Sequence, residues 1–156
     1  MWLRQAGRAA ALLSTLAGAV WLSGLPLLFP SLGPTAYLFA TKPAAPECEP
    51  RRVVGGHAIG VGAGFAAFHA TGGGVALGSL TTPGSMAALG LAVGGVVAVG
   101  LTTAGMVATD TGHAPACATT LIVSLGILTT PRAALLIVVA VGALVVEQRV
   151  LDRIGV

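Results

Sequence analysis

The residues that decide the fold run from Ser85 to Ala108, SMAALGLAVGGVVAVGLTTAGMVA. As an α-helix they extend about 36 Å, at about 1.5 Å per residue, which is enough to cross a hydrocarbon layer of about 30 Å. None of them is charged, and the uncharged stretch widens outward from there. Between Arg52 and Asp110 there is no Asp, Glu, Lys or Arg, and the same holds from Arg8 to Lys42 and from Asp110 to Arg132. Charged residues make up 8% of the chain and hydrophobic ones 55%, where a soluble domain uses about a quarter of its residues for charge. The mean hydropathy of +0.93 identifies lipid as the solvent.

Only helices and closed barrels satisfy their backbone hydrogen bonds in hydrocarbon, and continuous apolar runs without alternation argue against barrel strands. The 156 residues therefore predict one all-α domain over 1–156, a polytopic integral membrane helix bundle. The net charge of +3 comes from basic residues at segment ends rather than from a basic stripe interleaved with aromatics, so nucleic-acid binding is not expected. Cys48 and Cys117 stand far apart in unlike contexts, form no CxxC and read as unpaired. Arg4 and Arg8 before Ala9 could head a signal peptide. A retained first helix is the preferred reading, because the apolar stretch continues to Phe29 without a clear small-residue cleavage site followed by polar sequence.

Six hydrophobic segments lie between Pro, Gly or charge: roughly 9 to 24 or 29, 31 to 41, 53 to 70, 85 to 108, 115 to 130 and 133 to 148. Four have the length of full crossings, while the second and fifth are short or half helices. The order long, short, long recurs, and each short segment opens with a proline, Pro34 or Pro115. Short, Gly/Pro-interrupted segments at matching positions of two halves point to a transporter's binding site. Charge offers a test of topology: if both short segments are re-entrant, as their length suggests, the basic residues split evenly between the two sides. If both short segments cross, one side receives Arg4, Arg8, Lys42, Arg51, Arg52, Arg149 and Arg153 and the other only Arg132. The positive-inside rule favours that arrangement; it makes the halves inverted three-element repeats with both termini cytoplasmic in the cell membrane. Gly56, Gly60 and Gly64, and Gly90 with Gly94, form GxxxG steps that let helices approach closely.

A proline at the first helical position is accepted because its missing N–H would have been unpaired there. Placing Pro34 and Pro115 there makes Gly33 and Ala114 the caps, with no side chain to accept a hydrogen bond. The amides of Thr35, Ala36 and Tyr37, and of Ala116, Cys117 and Ala118, are then expected to be free donors at positive dipole ends, a place for an anion. Ser31, Thr111, Asp110 or a buried water are the alternative partners. His113, beside Asp110 and Thr111, is an ionisable group at membrane depth and a functional-site candidate by default, able to donate to an anion or carry a proton. His57 could join it across the bundle. His69 reads as interfacial, and Trp2, Trp21 and Tyr37 as anchors or packing residues.

Thr111-Gly-His-Ala-Pro-Ala-Cys-Ala-Thr-Thr120 resembles the signature of the HPP family of integral membrane proteins, a His-Pro-Pro triplet followed by small residues and threonine. Ser31-Leu-Gly-Pro-Thr-Ala-Tyr-Leu-Phe-Ala-Thr-Lys-Pro43 and Pro50-Arg-Arg-Val-Val-Gly-Gly-His57 are similar to two further stretches of that family. The resemblance covers nearly the whole chain from Ser31 onward and matches Ser31, Pro34, Gly56, His57, His113 and Pro115 by position. Ala114 replaces the first proline of the triplet, Cys117 stands where glycine is common, and Glu49 takes a glutamine position. The resemblance implies a small polytopic transporter with relatives linked to nitrite.

The expected function is a membrane transporter or channel for a small solute, a small inorganic anion such as nitrite foremost. The anion would sit among Ser31, Gly33, Pro34, Thr35, His57, Asp110, Thr111, His113, Pro115, Ala116 and Cys117. No nucleophile triad, nucleotide loop or metal-ligand spacing occurs, so neither catalysis nor a cofactor or metal is expected. The runner-up is a non-transporting membrane scaffold or subunit whose glycine faces pack against partner proteins. The lipid bilayer is the partner in either case, and a chain this small suits a homo-oligomer.

Overall fold

A computed structural model describes residues 2–71, 75–80 and 82–155. Its α-helices are α1 (Trp2–Ser23), α2 (Leu32–Thr41), α3 (Pro50–Thr71), α4 (Met86–Ala108), α5 (Ala116–Ser124) and α6 (Pro131–Arg153), with 3-10 turns at Pro46–Cys48 and Leu77–Ser79. No strand occurs among the described residues. α1, α3, α4 and α6 are long and apolar enough to cross a membrane. The 10 residues of α2 and 9 of α5 reach about half as far as a span needs.

Local chemistry sets the helix ends. α1 stops at Ser23 because Gly24 turns left-handed (φ 66) and Pro26 cannot continue the ladder. The first segment thus takes the nearer of its two expected ends, and the chain crosses residues 24–29 without helix. α4 opens on Ser85, whose hydroxyl accepts from the Ala88 amide at 3.2 Å, and α6 on Thr130, which accepts from Ala133 at 3.2 Å ahead of Pro131. α5 ends before the expected 130 because Gly126 (φ 72) closes its last turn, with the Ile127 amide donating to the Ile122 carbonyl at 3.0 Å.

Contacts between helix ends give the direction of every element. Arg4 donates to the Gly155 carbonyl and Arg8 pairs with Asp152, so α1 begins where α6 ends. Arg51 donates to the Thr109 carbonyl and Arg52 pairs with Asp110 at 2.8 Å, so α3 begins where α4 ends. Cys48, Glu49 and Pro50 share a cleft with Gln148, Arg149 and Asp152, which joins the two pairs at one end of the bundle. Each element runs opposite to the one before it. The halves α1–α2–α3 and α4–α5–α6 are therefore traversed in opposite senses, and both short elements carry the chain across, as the charge pattern predicts. Arg132 stands alone among the basic residues at the far end.

The largest apolar cluster joins Leu12 and Leu16 of α1, Leu32 and Phe39 of α2, and Ile137, Val141 and Leu144 of α6. The other contact is nearly free of side chains. A Cβ built on Gly60 would lie 2.8 Å from the Ala116 carbonyl oxygen, and one on Gly64 2.8 Å from Val123 Cβ, so α3 lies directly on α5. Trp21, Leu22, Met86, Val96, Val107, Leu135 and Val146 turn outward, where an apolar surface meets lipid rather than water.

Candidate functional site

α5 runs alongside α3 in the same direction: Gly56 lies against His113 and Thr111, Gly60 against Ala116 and Thr120, and Gly126 beyond α5 against Phe68. It occupies the half of the bundle nearer Arg132. α2 occupies the other half. Its last turn reaches the Pro46–Cys48 turn, where the Cys48 thiol donates to the Lys42 carbonyl at 3.3 Å. Its first turn shares an outward apolar groove of about 350 Å³ with the first turn of α5, lined by Pro34, Tyr37, Leu38, Ala114, Pro115 and Ala118. The two half-helices therefore start side by side and leave in opposite directions. His57, about 10 Å along α3 from Pro50, stands at that level.

There the structure brings together Thr35 of α2, His57 of α3, His113 ahead of α5 and Thr119 within α5. Thr35, His57 and Thr119 are 0% exposed and His113 1%, so neither lipid nor water reaches them. His113 Nε2 lies 3.0 Å and His57 Nε2 3.4 Å from the Thr35 hydroxyl oxygen. The remaining nitrogens are held as well, His57 Nδ1 at 2.7 Å from the Thr119 hydroxyl and His113 Nδ1 at 2.8 Å from the Glu47 carbonyl. The rings are 5.2 Å apart and tilted by 54°. Gly56 makes this geometry possible, since a Cβ there would sit 3.1 Å from His113 Cβ.

The free-amide expectation is corrected. The amides of Ala116, Cys117 and Ala118 donate to the carbonyls of His113, Ala114 and Pro115 at 3.0, 3.1 and 3.1 Å, because α5 starts with a tight 3-10 turn that pairs its own donors. α2 begins at Leu32, two residues ahead of the expected start, and its amide donates to the Phe29 carbonyl at 3.0 Å. Its cap is Ser31 rather than Gly33, and Pro34 sits inside the first turn. The cap of α5 is Pro115 rather than Ala114.

The other expected residues divide. Thr111 is buried and its hydroxyl lies 2.7 Å from that of Thr109. Asp110 lies at the aqueous end, paired with Arg52 and with its side chain 68% exposed, so it does not orient His113; the Glu47 carbonyl does. Pro34 is exposed and Gly33 half-buried. Ala116 is buried as backbone packing under Gly60, and Cys117 is half-buried. Ser31 is buried and its hydroxyl finds no partner among the described residues. Both cysteines are free thiols, and burial pushes the Cys48 thiol up from its ordinary value. His69 is exposed at the far end of α3, stacked on Phe65 and edge-on to Phe68. No group of three metal-ligating side chains occurs among the described residues.

Sequence reading missed Thr119 and the Glu47 carbonyl. Thr119 lies one turn and a half after His113, inside the quoted motif, and that position was the available signal. Neither a curated protein nor a solved structure matches the chain. The profile described as HPP, transmembrane region, matches residues 1–148, which include every residue of the buried cluster. With four apolar spanning helices around that cluster and a match over nearly its whole length, the chain belongs to the HPP transmembrane region family of integral membrane proteins.

Proposed function

We propose that the protein moves a small inorganic anion, nitrite being the first candidate, across the bilayer, with His57 and His113 as its contacts and the basic end of the bundle in the cytoplasm. The convergence of both histidine Nε2 atoms on one threonine hydroxyl, where two half-helices start, carries this reading. A bundle needing only stability would fill that position with apolar side chains, because buried polar groups add risk without net gain. Since the amides that open α5 and the Leu32 amide are bonded to the chain's own carbonyls, an anion would have to take over the imidazole N–H groups and the hydroxyls of Thr35 and Thr119 from the partners that hold them here. In this reading the arrangement, whose cluster residues are all buried, would be the occluded member of an alternating-access cycle.

Access from the basic end runs through the cleft of about 290 Å³ between the Pro46–Cys48 turn and α6. The carbonyl of Glu47, in that turn, holds His113, so the turn links the cleft to the ring. The Gln148 side-chain oxygen, buried in the cleft wall without a partner among the described residues, gives the passing solute's water or donor groups an acceptor.

Flux of nitrite, nitrate, formate and chloride into proteoliposomes tests the reading. His113→Ala and His57→Ala are each expected to lower flux of the carried anion at least about tenfold. Absence of flux for every anion in the panel overturns it. The scaffold alternative loses its main support, because Gly56, Gly60 and Gly64 lie against α5 inside the chain and offer no face to a partner.

A further inference from the structure

We infer that the chain Thr119–His57–Thr35–His113 binds one proton, taken up at His113 Nε2, with the Thr35 hydroxyl as the two-position switch that makes room for it. The direction of the hydrogen bonds follows from one end. The Glu47 carbonyl can only accept, so His113 carries its proton on Nδ1 and presents a lone pair at Nε2. The Thr35 hydroxyl donates to that lone pair at 3.0 Å. The same oxygen then accepts at 3.4 Å from His57, which must hold its proton on Nε2. His57 Nδ1 is left as an acceptor for the Thr119 hydroxyl at 2.7 Å. Were His57 protonated on Nδ1 instead, two bare nitrogens would face one hydroxyl with a single hydrogen.

The two ring lone pairs differ in what a new proton displaces. At His113 the Thr35 hydroxyl must turn away, and a second acceptor is already in reach, the Ser31 carbonyl at 3.3 Å. Thr35 then accepts from both Nε2–H groups and donates to Ser31, and every polar hydrogen stays paired. At His57 the Thr119 hydroxyl would have to turn, and among the described residues it has no other partner. One proton therefore enters, and it enters at His113.

The surroundings supply no counter-charge in contact. α4 carries no titratable residue, α5 only Cys117, and α2 only Tyr37, which faces outward. The Pro46–Cys48 turn and the start of α3 bring Glu47, Cys48, Glu49, Arg51 and Arg52. The α4–α5 connection brings Asp110, and Arg52 is paired with both Asp110 and Glu49. α6 brings Glu147, Arg149 and Asp152 from beyond α2; Glu147 accepts from Thr15, and Asp152 pairs with Arg8. Among the described residues no carboxylate is paired with either ring. The Glu47 carboxylate acts on His113 electrostatically without forming an ion pair with it, so a buried imidazolium still favours an anion beside it; the proton would then travel with the anion, and that last part alone rests on the transport reading.

Ring nitrogen-15 NMR of histidine-labelled protein in lipid vesicles tests the site, with His69→Gln leaving only the two rings of interest. Near neutral pH the expected result is a proton on Nδ1 of His113 and on Nε2 of His57, and on acidification His113 alone becomes doubly protonated first. Thr35→Ser keeps this order. Thr35→Val, which removes the acceptor of the new N–H, moves His113 protonation to about tenfold higher proton concentration or beyond. The opposite tautomers, simultaneous titration of both rings, or no response to Thr35→Val overturns the proton site. Anion flux without vesicle acidification overturns the coupling, and correct tautomers without any flux refute transport while leaving the proton site standing.

Discussion

Thr119 holds the one nitrogen of His57 that points away from Thr35, and its loss would leave a buried acceptor without a donor. Thr119→Val is expected to destabilise the protein by about 1–3 kcal/mol, measured as a lower melting temperature in detergent, with Thr119→Ser close to the parent. Asp110 presents the opposite case. It adopts φ 51, which Asp tolerates better than most residues, and its pair with Arg52 is exposed enough to contribute only about 0–1 kcal/mol. Asp110→Asn should therefore leave flux and stability nearly unchanged, whereas a β-branched residue such as Val should lower the melting temperature. His57 and His113 were legible in the sequence because histidine at membrane depth is costly and stands out, whereas Thr35 was named for its amide and not for the hydroxyl both rings meet. Thr119 was not, because a threonine in an apolar helix usually bonds back along its own backbone, as Thr120 does to the Ala116 carbonyl at 3.1 Å.

At the level of elements, the short helices were visible from length and from their prolines, but the state of their first amides was not. Proline marks a start; it does not say whether the following turn is α or 3-10, and in α5 the tighter turn pairs the donors that an α-turn leaves open. The glycine pattern was more informative, because its spacing along α3 matches the face that α5 covers. Gly60→Ala would push a Cβ to 2.8 Å from backbone and is expected to cost about 1–3 kcal/mol through separation of α3 from α5. Gly62, with open space beside it, should accept Ala within about 1 kcal/mol. Thermal unfolding of the pair in the same detergent separates close packing from a general effect of losing glycine.

Across the whole molecule the inverted order of the halves was readable from eight basic residues, because charge stays out of hydrocarbon and so marks the turns between crossings. Single cysteines placed at Arg51 and at Arg132, in a background lacking Cys48 and Cys117, should label from opposite sides of the membrane. Labelling of Arg51→Cys from outside intact cells would refute the proposed orientation, and labelling of both from one side would refute the inverted order itself. Charge could not reveal that the second half grips α3 through α5 while α1 leans on α2 and α6. The joining of α1 to α6 by Arg4 with Gly155 and Arg8 with Asp152 bears on biogenesis. Since α6 is synthesised after α1, these two clasps can form only once synthesis has passed Gly155, and insertion machinery must shelter the unclasped α1 until then.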